Sequence, residues 1–172
     1  DVCSSDLVGM YHGLGRAMRE DIDVTLTSYA VMRLDIGVLQ HTPWDVVVLD
    51  ESQTIRNPES QVAQAAYRLK ANFRICLSGT PVENSLDDLW SQFHFLNPGL
   101  LGDRAEFATR FAEPIAVGSD GSSESLRRRT APFILRRLKR DVAVELPPKT
   151  ELILECDLSE QERTVYEAIA GS

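Results

Sequence analysis

Apolar and polar positions along the chain follow two periods, one typical of strands and one typical of helices. Residues 23–29 (DVTLTSY) alternate and are rich in β-branched side chains, which predicts a strand. Residues 30–40 (AVMRLDIGVLQ) have the spacing of an amphipathic helix. Residues 46–50 (VVVLD) are apolar on both faces, which is typical of a central parallel strand covered by helices.

The same alternation continues into the second third of the chain. Residues 59–71 predict a helix, and residues 73–79 (FRICLSG) predict a second buried strand. Residues 85–96 predict a helix with Ser85 at its N-cap. Strands that alternate with helices in this way favour an α/β fold with a parallel sheet and right-handed crossovers.

The pattern becomes less regular after residue 98. Residues 103–113 predict a helix, and residues 117–125 (VGSDGSSES) predict a flexible loop by composition. Residues 146–158 predict an extended lead and a strand. Residues 159–170 predict a helix that opens with a Ser-x-x-Glu capping box. Within the helix at 85–96, we expect Trp90, Phe93, His94 and Leu96 to pack in the core.

Composition narrows the class of protein without identifying its chemistry. The 172 residues are 43% hydrophobic and 26% charged, as in ordinary globular domains. No apolar run approaches the ~20 residues of a membrane-spanning helix, so we expect no membrane partner. The three cysteines are odd in number and far apart, which argues against a disulfide framework or a zinc site and for a reducing compartment.

Positive charge is concentrated in one segment, although the net charge is −8. Residues 127–140 (RRRTAPFILRRLKR) hold seven basic side chains and no acidic one. The segments on both sides of it are acidic overall. A polyanion responds to the local field, so this segment is a candidate contact for DNA or for an acidic protein surface. A solvated, salt-bridged surface explains the same composition.

Two carboxylates, Asp50 and Glu51, stand at the end of the predicted central strand. Ligands of open parallel sheets bind beyond the carboxyl ends of the strands. An aspartate there can hold Mg²⁺, often through water, and a glutamate one residue on can orient and deprotonate an attacking water. Many strands also end in acids for solubility, so the pair alone does not identify a catalytic site.

Longer motifs around the pair change this interpretation. The sequence LDESQTIRNP (49–58), followed from residue 75 by ICLSGTPVENSLDDLWSQFHFLNPGLLG, resembles Swi/Snf-type DNA-dependent ATPases of helicase superfamily two. Three further segments agree with it: YHGLGR (11–16), TSY (27–29) and PFILRRLKRDVAVELPPK (132–149). The resemblance extends roughly from residue 11 to residue 166. Ser52 stands where the family more often has alanine or glycine.

The resemblance implies roles for particular residues, with ATP and Mg²⁺ as cofactors. Asp50 would hold Mg²⁺ through water and Glu51 would act as the catalytic base. The residues that would couple hydrolysis to DNA are Gln53, Ser78, Gly79 and Thr80. Double-stranded DNA would contact Thr27, Ser28, Tyr29, Arg136 and Arg137. Simple turn chemistry at residues 78–80, with Gly79 supplying permissive backbone angles, and strand-end chemistry at residues 27–29 remain the alternatives.

The family's phosphate loop has no counterpart in this sequence. None of the ten glycines is followed by lysine, so the pattern G-x-x-x-x-G-K-[ST] does not occur. The resemblance places that loop upstream, and places a second RecA-like lobe with its arginine finger downstream. We therefore expect the isolated chain not to hydrolyse ATP. The first seven residues (DVCSSDL) match one back-translation of a sequencing adapter and are expected to be an assembly artefact; a natural N-terminus is the alternative.

The predicted organisation is a RecA-like lobe with helices on both faces of a parallel sheet and a small helical protrusion. The expected boundaries are 1–7 for the artefact, 8–102 for the truncated lobe, 103–131 for the protrusion, and 132–172 for a brace segment, strand and helix. The resemblance implies that the intact protein is an ATP-driven translocase that remodels protein–DNA complexes. The alternatives are a catalytically inactive DNA-binding or scaffold protein and, disfavoured by DESQ, an RNA helicase. The motifs favour a bacterial, nucleoid-associated protein of the cytoplasm, with the nucleus as the location in a eukaryote.

Overall fold

The structure, a computed structural model, describes residues 7–79, 85–137 and 159–170. Its contacts divide the chain into two compact units that meet in sequence between Phe133 and Ile134. The predicted artefact at residues 1–7 and the predicted strand at 146–158 lie wholly or almost wholly outside the described residues.

Four strands form two short parallel pairs in the described part of the first unit. Strand β1 (Val8–Met10) pairs with β2 (Val24–Leu26), and β3 (Trp44–Leu49) pairs with β4 (Ala71–Cys76). The predicted strands at 23–29, 46–50 and 73–79 are therefore present and parallel. They belong to two separate two-stranded sheets rather than to one continuous sheet, because β2 and β3 do not hydrogen-bond to each other.

Only one face of the β3–β4 sheet is buried. Leu49 is 5% exposed and packs into the core, whereas Val46 and Val48 on the other face are 46% and 50% exposed. Phe73 and Ile75 lie opposite them in β4 and are 69% and 44% exposed. The prediction that residues 46–50 form a strand covered on both faces is therefore wrong, and so is the prediction that residues 73–79 form a buried strand, because the apolar side chains of one face are about half exposed or more.

Two short helices replace the single helix predicted for residues 30–40. Helix α1 (Tyr29–Leu34) and helix α2 (Ile36–Leu39) are separated by Asp35. The Asp35 carboxylate accepts hydrogen bonds from the Tyr11 hydroxyl at 2.9 Å and from the Arg16 guanidinium. Arg16 and Tyr11 hold the pKa of Asp35 below its usual range. The helix is interrupted where an aspartate, a weak helix former, bonds to residues distant in sequence.

The helix after β3 and the helix after β4 each begin at a serine N-cap. The cap of the helix after β4 was predicted. A 3₁₀ turn (Ser52–Ile55) follows β3, and α3 (Gln61–Arg68) begins after Ser60. Helix α4 (Leu86–Leu96) begins after Ser85, whose hydroxyl accepts the N–H of Asp88 at 3.1 Å. Each cap satisfies a backbone N–H that has no partner within its own helix.

The predicted protrusion is helical over more of its length than the composition indicated. Helix α5 (Arg104–Phe107), a π turn (Ala108–Ala112) and α6 (Glu113–Ala116) cover the predicted helix at 103–113. The flexible loop predicted for residues 117–125 is wrong, because α7 (Asp120–Thr130) begins inside it.

Local caps and buried contacts explain α7. The hydroxyl of Ser119 accepts the N–H of Ser122 at 3.4 Å. Ser119, which was counted as evidence for a loop, is therefore the N-cap of α7. Leu126 and Thr130 are each 5% exposed and anchor the helix to the protrusion. A 3₁₀ turn (Ala131–Phe133) then ends the first unit.

The second unit contains one described helix, α8 (Glu160–Ala170). Its predicted capping box is confirmed: the Ser159 hydroxyl accepts the Glu162 N–H at 3.4 Å, and the Glu162 carboxylate accepts the Ser159 N–H at 3.0 Å. No helix in the described ranges has both the length and the apolar character needed to cross a bilayer.

Two hydrophobic clusters fill the first unit, and helix α4 contributes to both. One lies beneath the buried face of the β3–β4 sheet, and its most buried members are Ile55, Ala63, Ala66 and Phe95. The other joins α4 to the protrusion, through Trp90, Phe93, Phe107, Phe111, Leu101 and Leu126. Trp90 and Phe93 are core residues, as predicted, and Leu96 is partly buried against the first cluster.

His94 is packed rather than liganded, which confirms the prediction for this residue. Its ring stacks on Trp90 at a centroid distance of 4.6 Å and meets the edge of Tyr67 at 4.7 Å. Burial, with a contribution from Arg74, lowers the pKa of His94, so the ring is held neutral.

Candidate active site

The acidic pair lies at the carboxyl end of β3, where the sequence places it. Asp50 directly follows Leu49 and is exposed, as is Glu51. One carboxylate oxygen of Asp50 accepts the backbone N–H of Glu51 at 2.9 Å. Both acids therefore leave the sheet at the edge where parallel α/β sheets bind their ligands.

Glu51 has an unusual backbone conformation. Its φ of 48° and ψ of 51° lie in the left-handed region, and no other non-glycine residue in the described ranges has a positive φ. This conformation costs a glutamate about 1 kcal/mol relative to a right-handed one. Outliers of this kind concentrate at functional sites, where the surrounding structure holds them in place. The Glu51 carbonyl is held by the N–H and the hydroxyl of Thr54, at 3.0 and 2.9 Å.

A hydrogen-bonded relay joins Glu51 to the end of the neighbouring strand. Gln53 donates from its amide nitrogen to the Glu51 carboxylate at 2.6 Å. Ser78 donates from its hydroxyl to the Gln53 amide oxygen at 3.0 Å. Backbone bonds between Leu49 and Leu77 and between Ser52 and Leu77 continue the pairing of β3 and β4 up to this relay. The structure thus brings together Glu51, Gln53 and Ser78.

The remaining predicted coupling residues are less informative. Gly79 is exposed and its φ is outside the left-handed region, and an added Cβ would meet no atom within 4 Å. Its predicted role of supplying glycine-only backbone angles is therefore wrong in this conformation. Thr80 lies outside the described residues.

A buried polar network beneath the turn was not predicted from the sequence. Ser52 and Ser91 are both fully buried. The Ser52 hydroxyl donates to Gln92 at 3.4 Å, and the Ser91 hydroxyl donates to the carbonyl of Ile55. Tyr67 joins the network through an oxygen–oxygen contact of 2.5 Å with Ser91. These bonds tie both ends of the 3₁₀ turn after Glu51 to α4. The sequence gives no local signal for this network, because Ser52 lies between Glu51 and Gln53 and Ser91 between Trp90 and Gln92.

Cys76 is a partly buried thiol that contacts Ser52 of this network. Burial raises the pKa of its thiol to about 11, so the thiol stays protonated and unreactive.

The three hydroxyl residues assigned to DNA all have partners within the chain. Thr27 donates to the carbonyl of Tyr11 at 2.9 Å, and the Ser28 hydroxyl caps α1 by accepting the N–H of Val31 at 3.3 Å. Tyr29 donates to the backbone carbonyl of Asp50 at 2.7 Å. Thr27 and Ser28 remain exposed, so their oxygens are accessible to an external phosphate group. Tyr29 is instead brought to the acidic pair.

A cavity of about 410 Å³ separates β2 from β3. Thr27, Ser28, Tyr29 and Asp50 line part of it, but most of its wall comes from the apolar side chains of Leu26, Met32, Leu39, Val46, Val48 and Leu69. Apolar walls do not suit a triphosphate, so the nucleotide is not assigned to this cavity.

Arg136 and Arg137 are exposed and belong to the second unit. Three further arginines lie in the last turn of α7, in the first unit. The basic segment recognised in the sequence is thus split between a helix end and the start of the second unit.

The acidic pair fits the way proteins bind Mg²⁺ together with nucleotide. No cluster of three or more metal-binding side chains occurs in the described part of the chain. Mg²⁺ at nucleotide sites is held by one or two carboxylates, with phosphate and water oxygens completing the octahedron, so such a cluster is not required. Among the described contacts, the second oxygen of the Asp50 carboxylate is left available to such an ion.

Parallel strands that carry an acidic pair at one tip and a linked serine at the next define the chain as part of a RecA-like α/β lobe. The chain belongs to the SNF2-related domain family, whose profile matches residues 10–171. The fold and the family expected from the motifs are therefore confirmed.

Curated relatives are similar over almost the whole chain. TATA-binding protein-associated factor MOT1 of Saccharomyces cerevisiae is 39% identical over 88% of this chain, which covers 9% of that protein. The CHD3-type chromatin-remodeling factor PICKLE of Arabidopsis thaliana is 36% identical over 94% of this chain and 11% of its own length. DNA repair and recombination protein RAD26 of S. cerevisiae is 37% identical over 85% of this chain and 15% of its own length.

Two solved structures share the fold. The Sulfolobus solfataricus SWI2/SNF2 ATPase core in complex with dsDNA matches with a TM-score of 0.74 and 42% identity over 94% of this chain. The ATPase core domain of the same organism matches with a TM-score of 0.70 and 40% identity over 97% of this chain. The chain spans 35% of each of these solved chains and 9–15% of the three curated relatives.

Proposed function

We propose that the intact protein is an ATP-driven translocase that moves along double-stranded DNA and remodels protein–DNA complexes. The observation that carries the proposal is the relay from Glu51 through Gln53 to Ser78, at the carboxyl ends of two adjacent parallel strands. A relay of this kind connects the group that acts on water to a neighbouring loop, as an ATPase coupled to a second ligand requires.

The named relatives support the same class of function. One is named as a chromatin-remodeling factor, one as a factor associated with the TATA-binding protein, and one solved relative is an ATPase core in complex with dsDNA. The alternative of a catalytically inactive DNA-binding or scaffold protein remains open to test, but both acids of the pair are retained here.

Each residue of the site has a proposed task. Asp50 holds Mg²⁺ through water, and bound Mg²⁺ neutralises charge on the phosphates. Glu51 orients the attacking water and takes its proton. Gln53 and Ser78 link the Glu51 side chain to the loop that follows β4, which includes Gly79 and Thr80. Thr27 and Ser28 contact DNA phosphates at the start of α1, where both residues are exposed.

The chain supplies one part of a larger site. Its sequence contains no G-x-x-x-x-G-K-[ST] loop to hold the phosphates. We propose that the phosphate loop and a second RecA-like lobe are parts of a longer protein, as the small share of the relatives that this chain spans suggests. The proposed location is the nucleus, because the curated relatives come from eukaryotes. The expectation of a bacterial, nucleoid-associated protein is not supported by them.

The direct test measures ATP hydrolysis by the intact protein with and without double-stranded DNA, together with displacement of a DNA triplex ahead of the moving protein. We expect DNA-stimulated turnover and triplex displacement from the intact protein, and neither from the purified 172-residue chain. An intact protein that binds DNA without any turnover would establish the scaffold alternative. Turnover by the isolated chain would show that the half-site assignment is wrong.

Replacing Arg136 by alanine tests the proposed contact between the basic segment and DNA. Each phosphate contact contributes about 0.9 to the slope of log affinity against log salt concentration. We expect Arg136→Ala in the intact protein to lower that slope by about one contact, and Arg137→Ala to do the same. Arg33→Ala is the matched control, because Arg33 bonds to Gln61 in the first unit. An unchanged slope in both Arg136→Ala and Arg137→Ala would favour the solvated-surface interpretation.

A further inference from the structure

The peptide bond between Asp50 and Glu51 is held at both ends without taking part in the sheet. At the end of the β3–β4 ladder, the Leu49 carbonyl accepts the N–H of Leu77, and the Ser52 N–H donates to the carbonyl of Leu77. The Asp50–Glu51 peptide lies between these two bonds and takes part in neither. The carbonyl of that peptide accepts the Tyr29 hydroxyl at 2.7 Å. Its N–H donates to the Asp50 carboxylate at 2.9 Å.

The orientation of this peptide determines the conformation of Glu51. The φ angle of Glu51 is the rotation about the bond that leaves the peptide, and it is 48° here. A rotation of this peptide would change the φ of Glu51, and with it the backbone from which the Glu51 carboxylate meets Gln53 at 2.6 Å. The rotated state would lose the bond from Tyr29, and one such bond is comparable in strength to the strain of the left-handed backbone. The hydrogen bond from Tyr29 is therefore strong enough to favour the present orientation of the Asp50–Glu51 peptide over the rotated one.

Tyr29 is also attached to the segment proposed to meet DNA. It is the first residue of α1, directly after the exposed N-cap Ser28. The bond from Tyr29 to Asp50 spans 21 residues and joins the start of α1 to the tip of β3. The Tyr29 side chain is partly buried, and burial raises its pKa to about 12, with smaller contributions from Cys76, Asp50 and Glu51. The hydroxyl is therefore a stable donor at any physiological pH.

We propose that Tyr29 is a positioning residue that holds the Asp50–Glu51 peptide in its active orientation and transmits DNA engagement at Thr27 and Ser28 to the catalytic pair. The inference rests on the proposed function, since it takes Glu51 as the group that acts on water. Tyr29 acts through the backbone carbonyl of Asp50, to which it donates, and is not itself assigned a catalytic role. In this arrangement DNA that fixes the start of α1 also fixes the Tyr29 hydroxyl, and with it the backbone of Glu51.

The test is Tyr29→Phe in the intact protein, which removes one hydroxyl and leaves the ring. We expect kcat at saturating DNA to fall about three- to tenfold, the change that corresponds to one hydrogen bond. The KM for ATP and the Kd for DNA should stay within about twofold, because neither ligand is bound by the lost hydroxyl. A 3-fluorotyrosine placed at position 29 keeps the donor and should restore turnover.

Tyr11→Phe is the matched control. Tyr11 is 5% exposed and its hydroxyl donates to Asp35 at 2.9 Å, so the variant loses one comparable bond that does not reach Asp50. We expect its DNA-stimulated kcat to equal that of the wild type. Thermal unfolding of both variants reports any general loss of structure.

Three results would overturn the inference. Unchanged kcat in Tyr29→Phe would show that the hydroxyl does not position the pair. A weaker Kd for DNA with normal kcat at saturating DNA would make Tyr29 a DNA contact instead. Loss of turnover that accompanies a lowered melting temperature, and that Tyr11→Phe shares, would make the bond merely structural. Glu51→Gln, measured in parallel, separates this inference from the proposed function: if Glu51→Gln is inactive and Tyr29→Phe is not impaired, only the inference fails.

Discussion

The intact protein carrying Glu51→Gln is expected to lose ATP turnover by a factor of about 10²–10⁴ while it still binds ATP. The amide has nearly the size of the carboxylate but cannot accept a proton from water. It can still accept the hydrogen bond that Gln53 now donates to Glu51 at 2.6 Å, so the backbone of the turn should be preserved. Steady-state hydrolysis and equilibrium binding of a fluorescent ATP analogue, measured on the same preparation, separate the two effects.

Glu59→Gln is the matched control for the change of charge. Glu59 lies eight residues after Glu51, is exposed, and forms an ion pair with Arg104 at 2.6 Å rather than a bond within the relay. Exposed pairs of this kind contribute little to stability, so the control should keep full turnover. Equal turnover in Glu51→Gln and wild type would remove Glu51 from the role of base. Loss of ATP binding in Glu51→Gln would instead point to a structural role in the nucleotide site.

The position of the acidic pair was predictable because the information is local. A run of apolar β-branched residues favours a strand, and the residues just after a strand of a parallel sheet lie at its carboxyl edge. Ser85 and the Ser159 capping box were predictable for the same reason, since a cap acts within three residues of itself. These features survive any rearrangement of the rest of the chain.

The features that the sequence did not predict depend on contacts between distant residues. Asp35 interrupts a helix because Tyr11 and Arg16 bond to it across 24 and 19 residues. Helix α7 replaces a predicted loop because Leu126 and Thr130 find buried positions in the protrusion, which outweighs the serine and glycine content of its first turn. Neither the residues that bond to Asp35 nor those that bury α7 can be inferred from composition.

In the candidate site too, local features were predicted and contacts between distant segments were not. Glu51, Gln53 and Ser78 were assigned together from motifs, and the structure joins them by two hydrogen bonds. The buried support from Ser91 and the contact from Tyr29 to Asp50 were missed, because both link segments that no local pattern connects. The exposed apolar face of the β3–β4 sheet was also missed, since the strand pattern reports that a face is apolar and not what lies over it.

Phe95→Ala should be strongly destabilising. Phe95 is fully buried on α4 and belongs to the cluster beneath the β3–β4 sheet. The Arg74 guanidinium lies 5.4 Å from the centre of its ring and donates to its backbone carbonyl at 2.9 Å. Removing the ring leaves a cavity and exposes one face of a partly buried cation, and such substitutions cost about 3–5 kcal/mol of unfolding free energy. That is a large share of the total for a domain that is stable by about 5–15 kcal/mol.

Phe133→Ala makes the same chemical change at a half-exposed position and is the control for Phe95→Ala. Phe133 is 51% exposed and touches Phe93 edge to face at 6.3 Å, so we expect its loss to cost about 1 kcal/mol. Urea unfolding of the 172-residue chain, followed by tryptophan fluorescence, gives both values from the shift in midpoint. If the two substitutions were equally destabilising, Phe95 would not be the packing centre beneath the acidic strand, and α4 would not be the element that supports the site from below. If instead only Phe95→Ala shifts the midpoint strongly, the buried ring, Arg74 and the β3–β4 sheet form one cooperative unit.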